Sequence, residues 1–166
     1  MKFLKNFNLP LAAVVFFAAI IAVIVFTLSP RQSRDEVLIA ATKRLEKKTL
    51  PAGILGQINE ENFFVVYLTS GCKACSDELN LLSELYVNSP GLKIFAIMSE
   101  DESVVENYVR DNNIEFPVIR DRNLDMLRDL KLEFFPTNLM IENGTIKRAY
   151  LGVPENKEKL SALIPD

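Results

Sequence analysis

The chain has 166 residues, 49% hydrophobic and 25% charged, a length that allows one compact domain with a short segment attached. It contains no histidine, and two cysteines alone cannot fill a tetrahedral zinc site, so no metal centre is expected. All 22 acidic residues and 17 of the 19 basic residues lie after residue 30, so the body of the protein is acidic and nucleic acid is not an expected partner.

The N-terminal segment is dominated by one uncharged apolar run. Residues 9–28 read LPLAAVVFFAAIIAVIVFTL, and a helix of that length matches the hydrocarbon layer of a bilayer, which is about 30 Å thick. A cleaved signal peptide is the alternative, but its apolar core usually spans only about 7 to 15 residues. We therefore predict a transmembrane anchor at 9–28, preceded by a cytoplasmic tail at 1–8.

The charges beside this run do not settle its orientation. Lys2 and Lys5 precede the run, and six basic residues follow it between residues 31 and 48. Local positive charge alone would keep the body of the protein in the cytoplasm, but long domains translocate largely regardless of such charges. The orientation must therefore be inferred from the chemistry of the domain.

Residues 29–53 are predicted to form a stem or linker helix between the anchor and a domain at 54–166. An apolar stripe at helical spacing is formed by Val37, Leu38, Ala41 and Leu45. Because the stripe is narrow, the alternative that this helix packs as the first helix of the domain stays open.

The domain begins with a strand and a helix. The run FFVVYLTS, from Phe63, is rich in β-branched and aromatic residues, which is typical of a strand buried on both faces. A helix is predicted after it, ending at Pro90-Gly91, with one buried stripe formed by Cys75, Leu79, Leu82 and Tyr86. Both cysteines of the chain thus lie where the strand ends and the helix begins.

Strand and helix patterns then alternate to the end of the chain. The segments 92–98 and 115–121 are strand-like, and each is followed by apolar residues at helical spacing. Two further strand-like runs are joined by Asn143-Gly144, a strong signal for a tight hairpin, and residues 155–163 predict a last helix. The order β-α-β-α-β-α-β-β-α favours an α/β sandwich with one antiparallel hairpin.

The spacing of the cysteines suits thiol-disulfide exchange. At the first turn of a helix, the sulfur of Cys72 would lie near free backbone N–H groups, which stabilise a thiolate, and Lys73 adds a cation. Cys75 follows one turn deeper on nearly the same face, which suits a thiol that resolves a mixed disulfide. A purely structural disulfide is the alternative, but so short a loop removes little entropy from the unfolded chain.

Three segments together resemble a thioredoxin-fold protein. They are SGCKAC at 70–75, FFPTNLMIENGTI at 134–146, and the inserted helix and strand SEDESVVENYVRDNNIEFPVIRD at 99–121. The insertion resembles the TlpA/ResA-type branch, which comprises membrane-anchored bacterial thiol-disulfide oxidoreductases. The resemblance implies a thioredoxin-like three-layer α/β/α sandwich with a helix-strand insertion, preceded by the transmembrane helix.

The resemblance also implies a site. Cys72 would attack and Cys75 would resolve, and their redox-active disulfide would serve in place of a bound cofactor. Pro136 would be a cis-proline beside the pair, with Phe135 and Thr137 in the substrate groove; whether the Phe135 ring narrows the groove or only packs in the core stays open. Three residues would tune the thiolate: Thr69, Gly71 and Lys73.

Three positions depart from the pattern of the resembling family. Phe135 stands before the presumed cis-proline, where smaller or β-branched residues are commoner. Gly71 stands where that family usually has tryptophan, so an aromatic wall beside the cysteines is absent. Val66 stands where many members bury an acid that takes the proton from the deeper thiol. Another acid, or water, would have to serve here.

The resemblance implies protein thiols and disulfides as partners and a membrane electron donor of the DsbD or CcdA type. It favours a reductase, as in cytochrome c maturation. Because an anchored exchange domain is most useful on the oxidising side of a membrane, we expect the domain to face the periplasm or extracytoplasmic side of a bacterial cytoplasmic membrane.

Two other functions are compatible with the cysteines. Thr69 and Cys72 satisfy the Thr-x-x-Cys part of the peroxiredoxin pattern, with Thr69 able to hydrogen-bond the thiolate, although Val65 replaces that family's proline. Two soft thiolates would also suit copper(I) in a non-enzymatic assembly module, although related copper chaperones add a histidine that is missing here.

Overall fold

The computed structural model describes residues 33–89 and 91–162, together with Ile20. The predicted anchor at 9–28, apart from Ile20, lies outside the described residues. None of the helices in the described part of the chain is both long and apolar enough to span a bilayer. The chain divides into two units, residues 1–36 and residues 37–166, and the second contains the fold.

Within the first unit, Ser33 and Glu36 form a reciprocal capping box at the start of a helix. The Glu36 N–H donates to the Ser33 hydroxyl, and the Ser33 N–H donates to the Glu36 carboxylate, each over 3.2 Å. These two bonds satisfy N–H groups that have no partner inside the helix, which explains why the helix begins here.

In chain order, the helices and strands of the described residues are α1 Arg34–Leu45, α2 Ala52–Leu55, β1 Asn62–Leu68, α3 Lys73–Asn88, β2 Ile94–Met98, α4 Glu102–Asp111, β3 Val118–Arg120, α5 Asp125–Leu130, β4 Thr137–Glu142, β5 Thr145–Leu151 and α6 Lys157–Ser161. The order from β1 onward is the predicted one. The last helix is shorter than the predicted span of 155–163.

The five strands form one mixed sheet in the order β3-β2-β1-β4-β5. Strands β1, β2 and β3 are parallel, whereas β4 runs antiparallel to β1 and β5 antiparallel to β4. The turn between β4 and β5 is the predicted Asn143-Gly144 hairpin, and both residues have a positive φ, 49° and 74°. The central position of β1 brings its carboxyl end, and the cysteines after it, to the middle of the sheet.

Helices cover both faces of the sheet, so the three-layer α/β/α architecture is confirmed. Alternate residues of a strand point to opposite faces. On one face, Phe63, Val65 and Tyr67 of β1 pack with side chains from α1, α2 and α5. On the other face, β1 packs with side chains from α3, α4 and α6, and its residues there are Phe64, Val66 and Leu68.

From Val37 onward, α1 lies in the same compact unit as the sheet, which is the alternative that the sequence left open for residues 29–53. Ala41 and Leu45 are buried in the core. After the helix, the Lys47 N–H donates to the Ile146 carbonyl over 2.8 Å, which ties the chain to β5. The narrow apolar stripe suffices because the sheet supplies a broad apolar surface opposite it.

Packing of α3 on the sheet predicts a large cost for Leu82→Ala. The Leu82 side chain is fully buried, and removing such a side chain costs about 2 to 5 kcal/mol in free energy of unfolding. Urea unfolding of the oxidised protein measures this, with Val87→Ala, 62% exposed on the same helix, as the control. Equal costs for the two variants would contradict this packing.

Candidate active site

Cys72 occupies the N-cap of α3, directly after β1. Its N–H donates to the Thr69 carbonyl over 3.3 Å, which closes a turn between the strand and the helix. Its sulfur accepts a hydrogen bond from the Cys75 N–H over 3.1 Å. The sulfur thus takes the place of a capping oxygen, where N–H groups and the helix dipole stabilise a thiolate.

The two cysteines are joined by a disulfide, with their Cα atoms 5.2 Å apart. Cys75 is fully buried, whereas Cys72 is partly exposed. A thiol or disulfide arriving from solvent therefore meets the sulfur of Cys72 first. This is the arrangement expected for an attacking thiol above a resolving one.

The loop before β4 lies beside this disulfide. The Phe135–Pro136 peptide bond is cis, as the resemblance implies. The Phe135 carbonyl oxygen lies 3.9 Å from the Cys72 sulfur, so in the reduced protein it is placed to accept from the thiol. Thr137, predicted for the groove, is fully buried and donates to the Phe134 carbonyl over 2.5 Å. This bond holds Thr137 against the turn before Pro136, and its role in the substrate groove stays a prediction.

The ring of Phe135 is partly buried and contacts the ring of Tyr67, with centroids 5.7 Å apart. It packs against the clusters on both faces of the sheet. The structure therefore favours the packing interpretation of Phe135, while its backbone faces Cys72.

The three predicted tuning residues lie around Cys72 in different ways. Lys73 is 88% exposed and pairs with Asp77 over 3.0 Å, so its effect on the thiolate stays a prediction. The Thr69 carbonyl accepts the hydrogen bond from the Cys72 N–H, whereas within the described residues the Thr69 hydroxyl makes no hydrogen bond to Cys72. A Cβ placed on Gly71 would meet no atom within 4 Å, and the φ of Gly71 lies outside the left-handed region. Beyond its chain neighbours, nothing therefore fills the space beside the backbone of Gly71.

Glu78 is the site residue that the sequence interpretation missed. It lies on α3 one turn after Cys75 and is fully buried, and neither carboxylate oxygen has a hydrogen-bond partner among the described residues. Burial raises the pKa of Glu78 to about 8, an effect that the Asn138 side chain opposes in part. The sequence did hold a signal for Glu78. Residues three apart share a helix face, so Glu78 lies on the same predicted buried stripe as Cys75.

Glu78 is a buried acid on α3, whereas the strand position Val66 carries none. Asn138, the neighbour that acts on Glu78, is the β4 residue opposite Val66 in the sheet register. The Cβ atoms of residues three apart on a helix lie about 5 to 6 Å from each other. Glu78 and Cys75 therefore lie one turn apart on the same face of α3, and both are fully buried.

A buried polar pair supports the carboxyl end of β1. The Tyr67 hydroxyl donates to the Asp121 carboxylate over 3.1 Å. That carboxylate also accepts from the N–H groups of Asp125 and Met126, at 2.8 and 3.0 Å, which begin α5. Burial raises the pKa of Tyr67 above its usual range, so the hydroxyl stays a donor at neutral pH.

Comparisons with known proteins agree with this geometry. Residues 53–155 match the AhpC/TSA family. The thiol-disulfide oxidoreductase ResA of a Bacillus cereus strain is 25% identical over 114 residues, which cover 66% of this chain and 65% of the relative. The sporulation thiol-disulfide oxidoreductase A of Bacillus subtilis (strain 168) is 25% identical over 101 residues, covering 57% and 61%. The matches thus span just under two thirds of the length of these relatives.

Solved structures share the fold. The crystal structure of StoA from Bacillus subtilis superposes with a TM-score of 0.55 at 23% identity, covering 62% of this chain and 81% of that chain. The crystal structure of a putative thiol:disulfide interchange protein DsbE from Chlorobium tepidum gives 0.58 at 17% identity, covering 72% and 91%. Both likenesses identify the thioredoxin fold.

Proposed function

Because the chain belongs to the AhpC/TSA family, we propose that it is a thiol-disulfide oxidoreductase acting on protein disulfides through Cys72 and Cys75. One observation carries this proposal. A partly exposed sulfur at the N-cap of α3 accepts a backbone N–H and is joined to a fully buried second sulfur. A purely structural disulfide would not require an exposed sulfur in a position that stabilises a thiolate.

Reduction of a substrate proceeds in two exchanges. The Cys72 thiolate attacks one sulfur of the substrate disulfide, forming a mixed disulfide and releasing the other substrate sulfur as a thiolate. Cys75 then loses its proton and attacks the Cys72 sulfur, which releases the second substrate thiolate. The substrate gains two electrons and two protons, and the cysteine pair becomes oxidised.

Glu78 provides the base for the second exchange. With a pKa of about 8, Glu78 is mostly protonated at neutral pH, and the ionised fraction, about one in ten at pH 7, is the form that accepts the Cys75 proton. An ordinary carboxylate, with a pKa of about 4.3, would be far too weak a base. Burial of Glu78 therefore serves the chemistry of the buried thiol.

The direction and the cellular setting are further parts of the proposal. We propose a reductase, anchored by residues 9–28, with its domain on the extracytoplasmic side and its electrons supplied by a membrane thiol donor of the DsbD or CcdA type. The uncharged run at 9–28 supports the anchor. The TlpA/ResA-type resemblance supports the donor and a substrate class such as the cysteines of cytochrome c during its maturation.

The equilibrium reduction potential tests the proposed function. Full-length protein in detergent is equilibrated with glutathione buffers, and the Cys72–Cys75 pair is followed by the mass shift on alkylation. We expect one two-electron transition near or below roughly −250 mV, which identifies a reductase, whereas a value near −120 mV would identify a donor of disulfides. A pair that neither equilibrates with glutathione nor accelerates insulin reduction by dithiothreitol would refute the exchange function.

A further inference from the structure

Glu100, between β2 and α4, reaches the loop that carries Cys72. Its carboxylate accepts a hydrogen bond from the Ser70 N–H over 2.7 Å. Ser70 lies inside the turn closed by the bond from the Cys72 N–H to the Thr69 carbonyl. Because such a turn brings its ends to within about 7 Å, the carboxylate is fastened close to the attacking cysteine.

This turn has little other support. Ser70 and Gly71 are exposed, and Gly71 has open space where a side chain would be. Within residues 33–89 and 91–162, no other side chain hydrogen-bonds to the backbone of residues 69–71. Among the described residues, the bond from Ser70 to Glu100 is therefore the one side-chain hydrogen bond that fixes the backbone of residues 69–71.

Glu100 is itself held in place, yet no cation among the described residues neutralises it. The Arg120 side chain donates to the Glu100 carbonyl over 2.8 Å and directs its charge to Asp101 and Glu102, at 3.4 and 3.6 Å. No ion pair reaches Glu100 in that part of the chain, and its second carboxylate oxygen is buried without a hydrogen-bond partner there. The Glu100 charge also contributes to the raised pKa of Tyr67, so its field reaches the end of β1.

Few other charges surround Cys72. On α3, Lys73 is paired with Asp77, and Glu78 is buried one turn after Cys75. In the loop before Pro136, the nearest charged residue is the exposed Glu133. Of the described acidic residues outside α3, Glu100 is the one that accepts a hydrogen bond from the turn at residues 69–72.

We propose that Glu100 is a positioning residue of the exchange reaction, which holds the Ser70-Gly71 turn and whose negative charge disfavours the Cys72 thiolate. This rests on the proposed function, and it concerns the direction of electron flow. The helix N-terminus stabilises the thiolate, and the Glu100 charge opposes that effect. A less stable thiolate makes the reduced pair give up its electrons more readily, so Glu100 biases the pair towards reducing its substrates.

Two substitutions separate the charge from the contact. Glu100→Gln keeps an oxygen that can accept from Ser70 but removes the charge, and Glu100→Ala removes both. Asp101→Asn is the matched control. Asp101 is the neighbour of Glu100 between β2 and α4, is 92% exposed and contacts Arg120 instead of the turn that carries Cys72. All are made in the full-length chain in detergent.

The primary readout is the pKa of the Cys72 thiol, taken from the pH dependence of iodoacetamide alkylation of the reduced proteins. We expect Glu100→Gln to lower this pKa by about half a unit or more, a size typical of an unpaired charge within a Debye length of the sulfur. At pH 8 the equilibrium with glutathione should shift about two- to threefold towards the reduced pair. Glu100→Ala should show the same fall together with faster hydrogen exchange at residues 69–71.

A Cys72 pKa in Glu100→Gln equal to that of the wild type, or to that of Asp101→Asn, would overturn the proposal. A merely structural role would lower the melting temperature without moving the thiol pKa, and Glu100→Gln remains informative if Glu100→Ala fails to fold. The alkylation readout needs no substrate. Failure of the wild type to reduce insulin would therefore refute the proposed function alone, and an unchanged pKa would refute the role of Glu100 alone.

Discussion

Cys72→Ser is expected to abolish disulfide reduction, by at least about 1,000-fold in the insulin assay, because a serine hydroxyl is not ionised near neutral pH and cannot replace the attacking thiolate. The remaining thiol cannot compensate, since Cys75 is fully buried. Cys75→Ser should behave differently. It keeps the attack by Cys72 but removes the thiol that resolves the mixed disulfide, so substrate proteins stay covalently attached.

The two outcomes are read together on non-reducing gels after mixing each reduced variant with an oxidised substrate protein. Attached substrate should accumulate on Cys75→Ser and be absent from Cys72→Ser and from the double variant. Ser76→Ala, on the same turn of α3, is the control and should retain activity. Accumulation of mixed disulfides on Cys72→Ser would show that the two cysteines have the opposite roles.

The second large effect is on the pH dependence of the free energy of unfolding, through Glu78. The pKa of Glu78 is about 8 in the folded protein, against an ordinary value of 4.5 for a glutamate exposed in an unfolded chain. Between these values the folded protein keeps a proton that the unfolded chain releases. The stability contribution is therefore fully present below about pH 4.5 and is lost as the pH rises through about 8. The total loss is about 3 to 5 kcal/mol in free energy of unfolding.

Glu78→Gln should remove this dependence. The amide has no charge to bury, so the stability of the variant should change much less between pH 5 and pH 8.5, and at the upper end the variant should be the more stable protein. Urea unfolding of the oxidised proteins across this range measures the effect. Asp77→Asn, exposed on the same helix, is the matched control, and a Glu78→Gln slope equal to the wild-type slope would mean that Glu78 is not buried as a neutral acid.

Much of the fold was accessible from local sequence patterns. The apolar run of β1 indicated a strand buried on both faces, and Asn143-Gly144 indicated the hairpin, because each of these features depends on neighbouring residues. The place of Cys72 at the start of α3 follows from the same kind of pattern. The cis-proline came from the motif resemblance and not from the residues themselves.

The missed features depend on contacts between residues far apart in the chain. The sequence left open whether α1 packs in the domain, because its narrow apolar stripe gives no sign of the bond from Lys47 to Ile146. Glu78 was not selected because a glutamate on a helix is usually exposed to solvent, and only the neighbouring strand with Asn138 shows that it is covered. Glu100 and Ser70 are thirty positions apart, and only the parallel pairing of β1 with β2 brings them together.

The open space at Gly71 makes the selectivity of this site unusually easy to alter. Backbone geometry does not require glycine there, and an added side chain would displace no neighbouring atom. A small side chain can therefore be added at Gly71 without a clash at its Cβ. Because Gly71 is exposed and precedes Cys72 in the chain, a side chain added there would face any partner that approaches the disulfide, which makes Gly71 a natural first site for altering partner choice.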